Sequence, residues 1–169
     1  MQHMKFTLLI GLFFIFFSVP GLAAGNISVS QTIAIEAPVA TVWAKVKDFN
    51  ALHTWHPAVA KTEILEGENN KVGSVRRLTL HDGGTINEEL LEWNEAGMTF
   101  SYNIFESVLP VSDYEATLTV TPITDNSTKV MWSASFNAGK GADDETARVT
   151  ISGIFDTGLI NLQKILTAP

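Results

Sequence analysis

Between Pro57 and Asn137 the chain alternates apolar and polar residues in run after run, and each run ends in a turn signal. The signals are Gly67 to Asn70, "HDGGT" at 81 to 85, "NEAG" at 94 to 97, "LPVSD" at 109 to 113 and "TDNS" at 124 to 127. A period of two is the mark of strands with one face buried, and connections this short join antiparallel neighbours. Six strands fit the stretch. "ISVSQTIAI", Ile27 to Ile35, alternates in the same way and adds a seventh.

The segments around the strands change period. After Pro38, which suits a first helical turn, Val39, Val42, Trp43 and Val46 fall at helical spacing. "FNALHTW" reads as a second short helical piece that must end by His56, because the residue before Pro57 is pushed out of the helical region. From Asp143, apolar residues from Ala147 to Leu166 recur at steps of three and four, a long amphipathic helix capped by Asp143 or Asp144. Gly153 and Gly158 lie inside it, either for close packing on the sheet or to leave space for a ligand. The sum is an α+β domain with a helix laid on a curved antiparallel sheet.

The first residues stand apart. Lys5 is the only charge in "MQHMKFTLLIGLFFIFFSVPGLAAG", and an apolar run from Phe6 to Val19 follows before Pro20 and small residues. That order predicts a secretory signal peptide over residues 1–24, cut after Ala23 or Ala24, and a single domain over 25–169 in an exported, periplasmic protein. The alternative is an uncleaved anchor, although the run is short of the roughly 20 residues a spanning helix needs. The net charge is −7 with no cysteine. An acidic surface argues against nucleic acid, and the lack of cysteine excludes disulfides, thiolate catalysis and cysteine-bound zinc. A domain of roughly 145 residues buries about two thirds of its unfolded surface, enough to stand on its core alone. Nothing after residue 25 is apolar for long enough to hold the mature chain in a membrane.

Strand alternation predicts which side chains face inward. Arg76, Leu78 and Leu80 share one face, Ile86, Glu88 and Leu90 the next, then Phe100, Tyr102 and Ile104. Tyr114, Ala116, Leu118 and Val120 follow, with Val130, Trp132, Ala134 and Phe136 last. A three-residue turn at Asp82 to Gly84 would set Leu80 opposite Ile86, Leu78 opposite Glu88 and Arg76 opposite Leu90. A five-residue turn from Trp93 to Gly97 would set Leu90 against Phe100 and Glu88 against Tyr102. Arg76 and Glu88 on a core face are the informative pair, because buried charges are rare unless matched. They are either a structural ion pair or fixed polar groups in the wall of a ligand cavity.

These segments together resemble a known family. "APVATVWAKVKDF", Trp55-His56-Pro57, "GSVRRLTLHDGGTINEELLEW", "LPVSDY" and the final amphipathic helix resemble the Bet v 1-like, helix-grip (SRPBCC) superfamily, which includes START lipid-transfer domains and polyketide cyclases. The nearer pattern is that of bacterial polyketide cyclase/dehydrase and lipid-transport proteins. The resemblance implies a seven-stranded curved antiparallel sheet, two short helices and a long C-terminal helix enclosing a cavity. Exported members also resemble MxaD-type accessory proteins, which implies a periplasmic dehydrogenase or cytochrome as partner.

The residue chemistry favours binding over catalysis. His53 and His56 lack a third ligand, since His81 sits at a turn and Glu88 points elsewhere, so no metal is expected. No nucleophile elbow and no glycine-rich phosphate loop occur, so no cofactor is expected either. The leading expectation is a binding protein for a small hydrophobic or amphipathic ligand. Its site would comprise Trp55, His56, Arg76, Leu78, Leu80, Glu88 and Leu90 from the first half of the domain. Phe100, Tyr102, Tyr114, Trp132, Ile154 and Gly158 would complete it. The alternative is a cyclase or dehydratase-like lyase with His56, Glu88 and Tyr102 as acid–base candidates. A third class, a partner-binding helper, predicts exposed apolar surface, for which "SVLPVSDY" is the best segment. Trp55 is expected to anchor packing, His56 to stand at the cavity rim as a gate, and His53 to face solvent.

Overall fold

A computed structural model describes residues 25–168; the expected signal peptide over 1–24 lies outside them. The chain runs β1 (Ile27–Ile35), α1 (Val39–Val46), a 3-10 helix (Phe49–Thr54), and β2 (Val59–Glu66). It continues through β3 (Val75–Leu80), β4 (Thr85–Asn94), β5 (Thr99–Ser107), β6 (Val111–Thr124), β7 (Ser127–Ala138) and α2 (Asp144–Thr167). The seven strands form one antiparallel sheet in the order β1-β7-β6-β5-β4-β3-β2. Strands β2 to β7 are a meander, and the two short helices carry the chain from β1 across to the opposite edge.

Local chemistry accounts for the boundaries. Pro38 stands at the N-cap of α1, one residue before the first turn. Asp48 caps the 3-10 helix by accepting from the Asn50 amide at 2.9 Å, and Trp55 ends it two residues before Pro57. Asp143 caps α2 through the Thr146 amide at 2.7 Å, with Asp144 and Glu145 favourably placed in the first turn.

The core lies between the sheet and α2. Ile151, Phe155, Leu159 and Leu162 of α2 are buried over the inner face of the sheet, where the Phe155 ring stacks on Trp132 at 4.4 Å. Every side chain expected to face inward from β6 and β7 is buried.

The hairpin registers differ from the sequence expectation. In β3–β4, Leu78 opposes Ile86 and Arg76 opposes Glu88. The connection is longer than three residues: Thr79 and Thr85 are the last pair, and the Leu80 amide donates to the Gly84 carbonyl at 2.8 Å. Gly83 takes φ +90 in this turn, a value glycine adopts without steric cost. A slip of two residues leaves every side chain on its face, whereas a slip of one would have reversed them. In β4–β5, Leu90 opposes Tyr102, Glu88 opposes Ile104 and Trp93 opposes Phe100. An extra residue between Leu90 and Glu92 bulges the strand. It turns Trp93 out of the expected loop and onto the inner face, against Phe100 at 5.9 Å and Trp43 at 5.6 Å.

Candidate functional site

The new register puts Arg76 and Glu88 directly across from each other, 2 % and 3 % exposed. Arg76 Nε donates to Glu88 Oε2 at 2.5 Å, and its Nη1 donates to the Phe49 carbonyl. The guanidinium lies 3.8 Å from the centre of the Phe49 ring and 5.4 Å from that of Tyr102. Arg76 therefore ties the 3-10 helix to the sheet by ion pair, hydrogen bond and ring stacking together. Burial pushes the Glu88 carboxyl upward, and the Arg76 charge pulls against that shift.

Next to this pair is an aromatic hydrogen-bonded group. Trp132 Nε1 donates to the Tyr102 hydroxyl at 3.0 Å, and the Tyr102 and Tyr114 rings are 6.3 Å apart. Burial first, and the Glu88 charge second, push the Tyr102 phenol well above its ordinary range. Tyr114 is driven up by burial and by the neighbouring Tyr102 and Glu88. Both stay protonated at neutral pH.

His56 closes the group from the other side. Its Nε2 lies 3.0 Å from the Ile154 carbonyl of α2, and the Ala58 amide points at Nδ1 from 3.3 Å. Those partners assign the proton to Nε2 and a lone pair to Nδ1, a neutral ring. Burial lowers its pKa below the usual histidine value, more strongly than the hydrogen bonds raise it. His56 is 3 % exposed, so it is a wall residue bonded to α2 and not the rim gate expected. Gly158 allows this contact: a Cβ there would sit 2.5 Å from His56 Cδ2 and 3.1 Å from the Trp132 ring. Close packing is thus the reason for Gly158. At Gly153 a Cβ would meet nothing within 4 Å.

Between the sheet and α2 these groups enclose a cavity of about 90 Å³. Of the residues expected at a ligand site, His56, Leu78, Leu80, Glu88, Tyr102, Tyr114, Trp132 and Ile154 line it. Trp55, Arg76 and Phe100 instead border a separate crevice of about 10 Å³, and Trp55 packs on Trp132 at 5.5 Å. Leu90 is core, and Gly158 meets His56. The wall also includes Ile86, Ile104, Ile151 and Phe155, all legible as inward or helix-face residues, Leu52 from the 3-10 helix, too short to show a period, and Ala58, Val59 and Leu109, whose positions in loops or at strand ends carry no period to read.

Larger depressions lie on the outer side of the sheet and at the gap between β5 and β6. One of about 400 Å³ is lined mostly by serines and Thr117, and one of about 700 Å³ lies where the β5–β6 pairing ends, reaching Ile104 and Tyr114 of the inner face. Neither brings His56, Glu88 and Tyr102 together, so the inner cavity is the functional candidate. His53 is exposed and bonds Thr62 Oγ1 at 3.1 Å. Among the described residues no three His, Asp or Glu side chains converge as metal ligands.

Comparison with known proteins agrees with this architecture. The XoxI protein of Bacillus cereus is similar over 83 % of this chain and 96 % of its own, at 29 % identity and a TM-score of 0.77. A protein of Nitrosospira multiformis is similar at 25 % identity and a TM-score of 0.73, over 84 % of this chain and 97 % of its own. A START superfamily protein of Mycobacterium smegmatis shares the fold at 18 % identity and a TM-score of 0.70, over 82 % and 96 % of the two chains. Residues 26–167 match the family described as polyketide cyclase/dehydrase and lipid transport, and the chain belongs to that family.

Proposed function

We propose that this protein is an exported carrier for a small hydrophobic or amphipathic molecule held between the sheet and α2. The observation that carries the reading is the cavity of about 90 Å³ between the sheet and α2, apolar except for His56, Glu88, Tyr102 and Tyr114. A few fixed polar groups in an apolar wall are the usual makeup of a small-molecule site. The volume is below the roughly 300–1,000 Å³ of drug-sized sites, so the closed form suits a compact ligand.

Binding is favoured over a cyclase or dehydratase role by the state of the three acid–base candidates. Both His56 nitrogens are engaged by the protein, Glu88 is paired with Arg76, and burial holds the Tyr102 proton tightly. A general acid or base works best with its pKa near the working pH and its proton within reach of substrate.

One observation favours a second reading, an MxaD-like accessory protein acting on a periplasmic partner. Phe105 and Val108, at and beside the "SVLPVSDY" segment, are 56 % and 61 % exposed. Native mass spectrometry of protein purified gently from a periplasmic extract tests both. A small bound mass present in the wild type and lost in Tyr102→Phe supports carriage. A protein-sized mass lost only in Phe105→Ser/Val108→Ser supports the accessory role, and an empty wild type refutes carriage.

A further inference from the structure

The inner cavity presents its polar groups unequally. Glu88 lines it, whereas the guanidinium of Arg76 lies behind, against the Phe49 ring and carbonyl. His56 has no hydrogen-bonding capacity left for a guest, since both ring nitrogens are bonded to the protein. Tyr102 receives the Trp132 N–H, which leaves its own O–H to donate, and Tyr114 brings a second phenolic hydroxyl to the same wall. A carboxylate accepts up to about four hydrogen bonds, and the Arg76 Nε bond at Oε2 uses one of them.

The polar end of the cavity is therefore a carboxylate acceptor beside phenolic donors. One group satisfies both at once: a hydroxyl, which donates to Glu88 and accepts from a tyrosine. Charged guests fare worse. Arg76 and Glu88 cancel each other, so any added charge stays uncompensated against a largely apolar wall. A guest carboxylate also stands beside Glu88, and two neighbouring carboxylates do not both ionise readily. The volume sets the size. At about 25–30 Å³ for each non-hydrogen atom, the share of one water in the liquid or of one carbon of benzene in a cavity of about 150 Å³, 90 Å³ holds about three to four of them.

Building on the carrier reading, we propose that the cavity selects an uncharged molecule, an apolar body bearing one hydroxyl and counting about three to four non-hydrogen atoms in all, and rejects carboxylates and amines of the same size.

Four probes of four non-hydrogen atoms each test this at neutral pH by titration calorimetry and amide chemical shifts on the purified protein: 2-propanol, chloroform, acetate and isopropylamine. The expected result is 2-propanol bound at least about tenfold tighter than each of the other three, with shifts at Tyr114 and Ile154. Glu88→Gln removes one charge of the pair and leaves Arg76 unmatched behind the wall, so acetate should overtake 2-propanol. The order of probes within one variant is read independently of its stability. If Glu88→Gln does not fold, Tyr114→Phe serves: the margin of 2-propanol over chloroform should shrink while that of chloroform over acetate persists. Equal binding of chloroform, acetate and 2-propanol to the wild type overturns the selection and leaves carriage standing. Silence of all four probes overturns both.

Discussion

Two glycines in one helix should respond to the same substitution with opposite signs. Gly153 and Gly158 are both interior to α2, where alanine is favoured over glycine by about 1 kcal/mol. At Gly153, exposed and with nothing within 4 Å of a new methyl, that gain should appear undiminished. At Gly158 the methyl would lie 2.5 Å from His56 Cδ2, about 1 Å inside the ordinary carbon–carbon contact distance. The imidazole must withdraw, which strains a packed core by about 1–3 kcal/mol. Withdrawal also breaks the bond of His56 to the Ile154 carbonyl, at a cost of about 1–3 kcal/mol for a buried donor left without a partner. The two costs share one movement and are not additive, so about 2–4 kcal/mol is a fair total, set against the same helix gain. Gly153→Ala should therefore raise stability by about 1 kcal/mol and Gly158→Ala lower it by about 1–3 kcal/mol. At about 2–4 °C per kcal/mol for a chain of this length, the melting temperatures should differ by about 4–16 °C. Paired thermal and urea melts decide it. A Gly158→Ala protein as stable as Gly153→Ala would refute the close packing inferred for His56 and α2.

The buried ion pair gives a second expectation. Arg76→Met and Glu88→Leu should each cost about 3–5 kcal/mol by stranding a buried charge, and the double variant should recover most of that loss in urea melts. The third concerns pH. Burial lowers the His56 pKa, so its neutral form favours the fold: that contribution is complete above pH 6.5 and is lost as pH falls toward the lowered value. Glu88, raised from 4.5, acts with the opposite sign and loses its contribution as pH rises through the raised value. Stability measured from pH 5 to 8 in the wild type and in His56→Gln, and then subtracted, isolates the histidine. The difference should slope by no more than about 1.4 kcal/mol per pH unit and flatten above 6.5.

Which of these features could be read in advance depends on the distance over which each is decided. The period of two is local, so the inward set from Arg76 to Phe136 follows from the sequence even where the register does not. Register depends on turn length, and "HDGGT" does not announce that Leu80 and Gly84 close the turn between them. A difference of two residues leaves the faces intact and sets Arg76 diagonal to Glu88 rather than across from it, so their direct opposition is visible only in the structure. The bulge near Leu91 was less forgiving. It moved Trp93 from an expected turn to the inner face, and nothing in "LLEWNEAG" marks the extra residue.

Cavity size is the property farthest from the sequence, because it is the separation between the sheet and α2. That separation is set by contacts between distant parts of the chain: Gly158 against His56, the His56 bond to Ile154, and Phe155 stacked on Trp132. Each holds α2 close, and together they limit the space to about 90 Å³. A ligand of more than about four non-hydrogen atoms cannot enter by displacing side chains at the rim. It must lift α2 and break the His56–Ile154 bond, and binding must supply the roughly 1–3 kcal/mol that leaving those groups unmatched costs. A compact guest avoids this cost. The same histidine that the sequence casts as a rim gate therefore acts through a backbone hydrogen bond to Ile154, by fixing how large a guest the cavity admits.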